Sequence, residues 1–168
     1  YQTAKIIDGA GIDMILVGDS LGMVVLGYDD TKQVTMEDMI RHTQAVARGV
    51  KSAIVVGDLP IHSFDNVEDA LANSRLLVEA GAHAVKLEGN KPAIVRALIE
   101  AGIPVQGHLG LLPQTAQSMK VRGKRRSEAE RILADAKVLD SLGVFSIVLE
   151  CIPMDLAKRI TEAVATPT

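Results

Sequence analysis

One pattern recurs five times along the chain: a short apolar run stops at a glycine or a polar residue, and an amphipathic segment follows. Met14-Ile15-Leu16-Val17 halts at Gly18-Asp19-Ser20, and the run inside Lys51 to Pro60 halts at Gly57-Asp58. Ala84 to Gly89 ends on Lys86-Leu87-Glu88, Ile103 to Gly110 carries Gly107-His108, and Val144 to Cys151 ends on Leu149-Glu150. Four or five apolar residues bounded by turn-formers predict strands with covered faces. A polar residue at the C-terminal tip of each strand predicts chemistry displayed there.

The intervening segments have helical period and helical punctuation. A helix-like run through Ala10 is closed by Gly11. Thr35 is a cap for a helix whose apolar face is Met36, Met39, Ile40, Val46 and Ala47, with Glu37 and Asp38 in the first turn and Gly49 just past the end. Asn66 opens the next, which stops at Gly81, and Pro92 begins another that stops at Gly102. Ser127 and Glu130 have capping-box spacing before a helix ending at Gly143, and a last helix follows Pro153.

Strict alternation of strand and helix implies a parallel sheet with right-handed crossovers, either open and doubly wound or closed as a (β/α)8 TIM barrel. An open sheet gathers its ligand at one switch point, usually beside a Gly-rich phosphate loop, whereas a barrel collects residues from many strand tips. Here every strand contributes a polar tip and no G-x-G-x-x-G follows the first, so the barrel is favoured. A complete barrel takes about 250 residues. The 168 residues are expected to form a single barrel domain truncated at both ends, without the first strand and the last strands, with another strand beginning near Ala165-Thr166-Pro167-Thr168.

Composition excludes several classes of function. A net charge of -3 provides no global field for nucleic acid or an anionic membrane, and 2% aromatic residues with no Trp provide no base-stacking platform. No apolar run approaches the ~20 residues of a membrane span, and no signal peptide is recognisable. A single cysteine, Cys151, rules out an internal disulfide. The expectation is a soluble, intracellular protein. The basic run Lys120 to Arg126 lacks aromatics and reads as a solvated loop over the mouth of the barrel.

The strand tips carry the candidate chemistry. Asp19 and Asp58 occupy matched Gly-Asp positions, where two carboxylates can share a divalent cation; the alternative is that each caps a turn. Glu88, two residues beyond Lys86 and so on the same strand face, would be a third oxygen ligand. Oxygen donors without a Cys or His cluster suit Mg2+ or Mn2+ rather than zinc. Lys86 would bind a substrate carboxylate or form a Schiff base, His108 would donate to an anionic substrate or satisfy a core hydrogen bond, and Glu150 would be a general base or a structural ion-pair partner. Cys151 reads as a small packing residue, and His42, His62 and His83 as structural or rim residues.

Five stretches in register, Val17-Gly18-Asp19-Ser20-Leu21-Gly22, Gly57-Asp58-Leu59-Pro60, Val85-Lys86-Leu87-Glu88-Gly89, Gly107-His108-Leu109-Gly110-Leu111 with Pro113-Gln114, and Val148-Leu149-Glu150-Cys151-Ile152-Pro153, closely resemble the ketopantoate hydroxymethyltransferase family. The resemblance implies a cytoplasmic (β/α)8-barrel transferase of pantothenate and coenzyme A synthesis, assembled as a homodecamer. Its reaction moves a hydroxymethyl group from 5,10-methylenetetrahydrofolate to 3-methyl-2-oxobutanoate through a Mg2+-stabilised enolate. By the same resemblance Asp19, Asp58 and Glu88 bind the metal, Asp19, Ser20, Asp58, Lys86 and His108 hold the substrate, and Glu150 is the catalytic base.

Two departures from the family pattern stand out. Leu112 replaces a usual Thr, and between Gln117 and Lys120 the chain lacks residues of a Gly-Gly-aromatic loop. Two other readings fit the tips: a Mg2+-dependent 2-oxo-acid barrel of the phosphoenolpyruvate mutase and isocitrate lyase type, whose reactive cysteine motif is absent here, and a non-catalytic barrel scaffold. For an oligomer, the apolar outer faces of the Met36 to Arg48 helix and its neighbours are the expected contact.

Overall fold

The computed structural model describes residues 1–168. They form two compact units, Tyr1–Lys86 and Leu87–Thr168. The elements run α1 (Gln2–Gly9), β1 (Met14–Val17), α2 (Leu21–Val24), α3 (Met36–Gly49), β2 (Ile54–Asp58), α4 (Val67–Glu79), β3 (Ala84–Glu88), α5 (Pro92–Glu100), β4 (Val105–Gly110), α6 (Arg126–Leu142), β5 (Ser146–Glu150) and α7 (Met154–Ala163). The protein is therefore an α/β fold, and the pairings named below are all parallel.

In the first unit β1 pairs with β2 from Met14↔Ile54 to Val17↔Gly57, and β2 pairs with β3 from Val56↔Ala84 to Asp58↔Lys86. Its core is Met39, Val55, Val56, Leu59 and Leu77, all essentially without solvent contact. The sequence chooses this arrangement because β2 is apolar on both faces, as a strand flanked by helices must be. Helix α3 starts where expected: Thr35 accepts from the Asp38 N–H at 3.2 Å, and the Asp38 carboxylate returns a bond to the Thr35 N–H at 3.0 Å. The Asp8 carboxylate accepts from the N–H groups of Lys51, Ser52 and Ala53, which fixes the chain entering β2 and holds the Asp8 carboxyl below its ordinary range.

The second unit repeats the design. The Gly89 N–H at the end of β3 donates to His108 O of β4, and β4 pairs with β5 from Gln106↔Ser146 to Gly110↔Glu150. Val95, Leu98, Val105, Leu139, Ile147 and Ile160 fill its core. Asp140 takes the place Asp8 has in the first unit: its carboxylate accepts from the backbone of Ala165 and Thr166 and from the Thr166 hydroxyl, which also lowers its carboxyl.

Several expectations need correction. β1 is not covered on both faces: Leu16 is 41% exposed, because β1 is an end strand of the order and pairs on one side only. Most of β5 is only partly buried, with Ile147 its one fully buried residue. Ser127 and Glu130 form no capping box, since the N-cap of α6 is Arg125, two residues before Ser127, and Glu130 instead pairs with Arg159 at 2.8 Å. Gly49 is the last residue of α3 rather than the one beyond it. Cys151 is exposed, with φ +51°, so it is not a buried packing residue. Residues 165–168 form no strand, although Pro167 O accepts from the Ile147 N–H. The outer face of α3 shows no exposed large apolar side chain, whereas its neighbours do, Ile6 and Ile7 on α1 and Val67, Leu76 and Val78 on α4; Met23, Val24 and Val25 are exposed as well. No helix is long and apolar enough to cross a membrane.

Candidate active site

At the C-terminal ends of β1, β2 and β3 the first unit gathers the polar residues that the sequence singles out. Asp58 is the last residue of β2 and is 1% exposed. Its carboxylate is held from two sides: the Asp19 N–H donates to Oδ2 at 3.2 Å, and the Lys86 ammonium donates to Oδ1 at 2.9 Å and to Oδ2 at 2.8 Å. Register explains the meeting of Lys86 and Asp58, which are direct cross-strand partners. Asp19, two residues past β1, is itself buried, whereas Ser20 beside it is exposed at the N-cap of α2. A carboxylate this deeply buried is tolerable only when paired and hydrogen-bonded, and both conditions are met.

These residues fit a hard divalent cation. Mg2+ is commonly held by only one or two carboxylates, with water or substrate oxygens completing its shell. Asp19 and Asp58 are the residues that would supply that pair, the Asp19 N–H already bonding the Asp58 carboxylate. No group of three or more His, Cys, Asp and Glu side chains is drawn close enough to form a protein-only metal cage. Lys86 and a cation would draw on the same Asp58 oxygens.

The second unit holds the other expected residues. His108, in β4 and 1% exposed, lies with Nε2 3.1 Å from Glu150 Oε2 and Nδ1 3.7 Å from Glu88 Oε1. Glu88 Oε2 accepts the Gln114 N–H at 3.2 Å. Glu150 differs in character from Glu88: its side chain is 40% exposed, against 4% for Glu88. A carboxylate both open to solvent and backed by an imidazole suits proton transfer better than a fully enclosed one. His42, His62 and His83 make local contacts, to Asp38 O, Asp65 and the Val55 N–H, in agreement with a structural or rim role.

Two features escaped the sequence reading. Gln114 is 2% exposed and its backbone anchors Glu88; it belonged to a stretch resembling the family but was given no role of its own. Asn90, just past β3, donates from Nδ2 to Asp135 Oδ1 of α6 at 2.7 Å. The signal for it was present, since Asn90 stands at a strand tip like the other site residues.

A sequence profile of the ketopantoate hydroxymethyltransferase family matches residues 1–168. The chain belongs to that family. It is 56% identical to the 3-methyl-2-oxobutanoate hydroxymethyltransferase of Thermoanaerobacter sp. (strain X514), an alignment covering all of this chain and 64% of the relative. It is 55% identical to the protein of the same name from Ignicoccus hospitalis, covering all of this chain and 66% of that one. The chain thus spans just under two thirds of the length of these ketopantoate hydroxymethyltransferases. Among solved structures it is similar in fold to 2,3-dimethylmalate lyase, a PEP mutase/isocitrate lyase superfamily member, with a TM-score of 0.69 at 16% identity over 99% of this chain and 63% of that one. Phosphonopyruvate hydrolase gives a TM-score of 0.75 at 15% identity, over 98% and 60% of the two chains.

Proposed function

We infer that the full-length protein transfers a hydroxymethyl group from 5,10-methylenetetrahydrofolate to 3-methyl-2-oxobutanoate, giving 2-dehydropantoate, and that this chain carries the 2-oxo-acid and base residues. The observation that carries the reading is the buried Asp58 carboxylate, gripped by the Lys86 ammonium and the Asp19 N–H at the C-terminal tips of parallel strands. The family and the names of the relatives supply the substrates. In this reading the whole protein closes a (β/α)8 barrel, works in the cytoplasm and assembles as a homodecamer. Exposed Val24 and Val25 give such an assembly apolar surface to cover.

Each residue then has a task. Asp19 and Asp58 would hold Mg2+, and a cation there would polarise the keto oxygen of the acid and acidify its C3 proton. Lys86, two residues before Glu88 on β3, neutralises the substrate carboxylate once it turns from Asp58, and the exposed Ser20 hydroxyl contributes a further hydrogen bond. Glu150 accepts the C3 proton, and His108 holds the Glu150 carboxylate from behind and contacts the acid. The resulting carbon nucleophile bonds to the one-carbon unit of the folate as the bond from that carbon to one folate nitrogen breaks, and that nitrogen receives the proton Glu150 took from C3. Water then provides the hydroxyl of the product as the second carbon–nitrogen bond breaks, and its remaining proton goes to the second nitrogen.

Exchange of the C3 proton of 3-methyl-2-oxobutanoate with deuterated solvent, followed by NMR on the full-length protein, tests the first step without folate. Glu150→Gln keeps the shape and cannot accept the proton, so exchange should fall by about 10²- to 10⁴-fold, the usual worth of general base catalysis. Exchange at the wild-type rate would remove Glu150 from the role of base.

A further inference from the structure

A glycine at the end of a buried strand usually answers one of two demands, and Gly18 answers neither. The first demand is backbone conformation, because a φ in the left-handed region excludes most side chains. Gly18 is not among the glycines with positive φ, so its conformation is one that alanine adopts. The second demand is packing. At Gly57 an added Cβ would press on Leu77 at 3.2 Å, and at Gly22 it would run into Val34 at 2.5 Å. Over Gly18 no buried leucine or valine stands: the nearest atoms to a Cβ there would be Ser20 Oγ at 3.3 Å, then Asp58 Oδ2 and Leu16 Cδ2 at 3.8 Å each.

Those three atoms outline an opening with a definite chemistry. One side is the Asp58 oxygen that accepts from the Asp19 N–H, the second is the Ser20 hydroxyl, and the third is a methyl of Leu16. Alternation along β1 brings them together, since Leu16 is the register partner of Val56, and Leu16 and Gly18 therefore share the sheet face to which Asp58 belongs. Ser20 stands at the N-cap of α2 but makes no capping bond, so its hydroxyl is not spent on the helix. The opening is reachable from solvent, because Leu16 is 41% exposed and Ser20 is exposed. A carboxylate and a hydroxyl against hydrocarbon suit a small molecule that is polar at one end and apolar at the other.

We propose that Gly18 is the clearance residue of the 2-oxo-acid site: the side chain it lacks is the room through which the reacting end of the acid reaches Asp58 and Ser20. The proposal rests on the function inferred above and adds to it a residue that contributes only space. An alanine methyl in van der Waals contact with Oδ2 would stand where a ligand atom is needed. Alanine at a permitted φ also restricts the unfolded chain, so the glycine gives up some stability in favour of binding.

Two measurements on the full-length protein test this: urea denaturation, and titration calorimetry of 3-methyl-2-oxobutanoate in the presence of Mg2+. Gly18→Ala should keep or raise the urea midpoint, while its affinity for the acid falls about tenfold to a hundredfold, the usual effect of a methyl added where there is no spare volume. In transfer assays its KM for the acid should rise by the same factor and its KM for methylenetetrahydrofolate should stay at the wild-type value. If Gly18→Ala does not fold, the double variant with Ser20→Ala, which removes the tightest contact, gives the same comparison against Ser20→Ala alone. Wild-type affinity for the acid in a folded variant overturns the role of Gly18 and leaves the proposed function standing. A lowered urea midpoint with unchanged affinity identifies a structural glycine and overturns it as well. A wild type that does not bind the acid overturns the proposed function and the role of Gly18 together.

Discussion

Replacing Lys86 by Met should be among the most destabilising conservative-volume changes in the first unit. The Lys86 ammonium bonds both Asp58 oxygens, at 2.8 and 2.9 Å, and the two side chains are only 6% and 1% exposed. Water cannot replace the cation at such a site, so the substitution leaves a buried carboxylate with an N–H donor and no counter-charge. Breaking a buried pair from one side costs about 3–5 kcal/mol, whereas an exposed pair is worth about 0–1 kcal/mol. Lys86→Met combined with Asp58→Leu removes both charges, and the double variant should recover most of the loss, since apolar replacement of a buried pair is often neutral or better. Urea denaturation of the full-length protein and its three variants, followed by circular dichroism, gives the four corners of the cycle. The reasoning fails if Lys86→Met loses less than about 1 kcal/mol, or if the double variant is as unstable as the two single losses added together.

Asp58→Ala should sharply weaken Mg2+ binding measured by calorimetry; unchanged affinity would take Asp58 out of any metal site. Gly110→Ala should cost more than about 2 kcal/mol in the same urea assay, because Gly110 has φ +99° and an added Cβ would collide with the Glu150 carbonyl oxygen and Ile152; a loss below about 0.5 kcal/mol would show that the β4–β5 register yields easily. Stability should decline as pH falls through about 4 and below, since Asp8, Asp38, Glu130 and Asp140 are all held below their ordinary values, chiefly by the N–H groups of Ala53 and Thr35, by Arg159, and by Thr166 respectively. With folded values depressed, the unfolded chain binds more protons in that window, so the stabilisation is complete above it and lost within it; Asp8→Asn should flatten the slope between pH 5 and 3, and an unaltered slope would refute the Asp8 contribution.

The alternation of elements was legible because each rests on local chemistry that the sequence displays. Thr35 and Asn66 cap their helices through residues three positions on, and Gly143 takes the left-handed φ of +86° that ends α6. What was not legible depended on neighbours. Glu130 has capping-box spacing from Ser127, yet Arg159, distant in sequence, offers a charged partner at 2.8 Å and α6 starts elsewhere. Leu16 looks like core by hydropathy but lies on a strand paired on one side, so 41% of it remains exposed. For the candidate site, residue types at strand tips singled out Asp19, Asp58, Lys86, Glu88, His108 and Glu150. Their pairings depended on register: Asp58 faces Lys86 because β2 and β3 align Val56 with Ala84, and a shift of one residue would part them.

Register also explains how the fold tolerates so much buried polarity. Directly before Asp58 stands Gly57, over which Leu77 packs, and before His108 stands Gly107, over which Leu139 packs; a Cβ at either glycine would press on those leucines. Both leucines have no solvent contact. The residue before each buried polar group is thus reduced to a hydrogen so that a helix can approach the strand closely, and a fully buried leucine contributes about 1.5–3 kcal/mol of apolar burial. Because successive residues of a strand point to opposite faces, the glycine serves the helix side and the polar residue serves the site side. The cost of burying Asp58 and His108 is offset one residue away, on the other face of the same strand. An engineered Gly57→Ala or Gly107→Ala would therefore disturb Asp58 or His108 by pushing the strand, even though neither glycine belongs to the site.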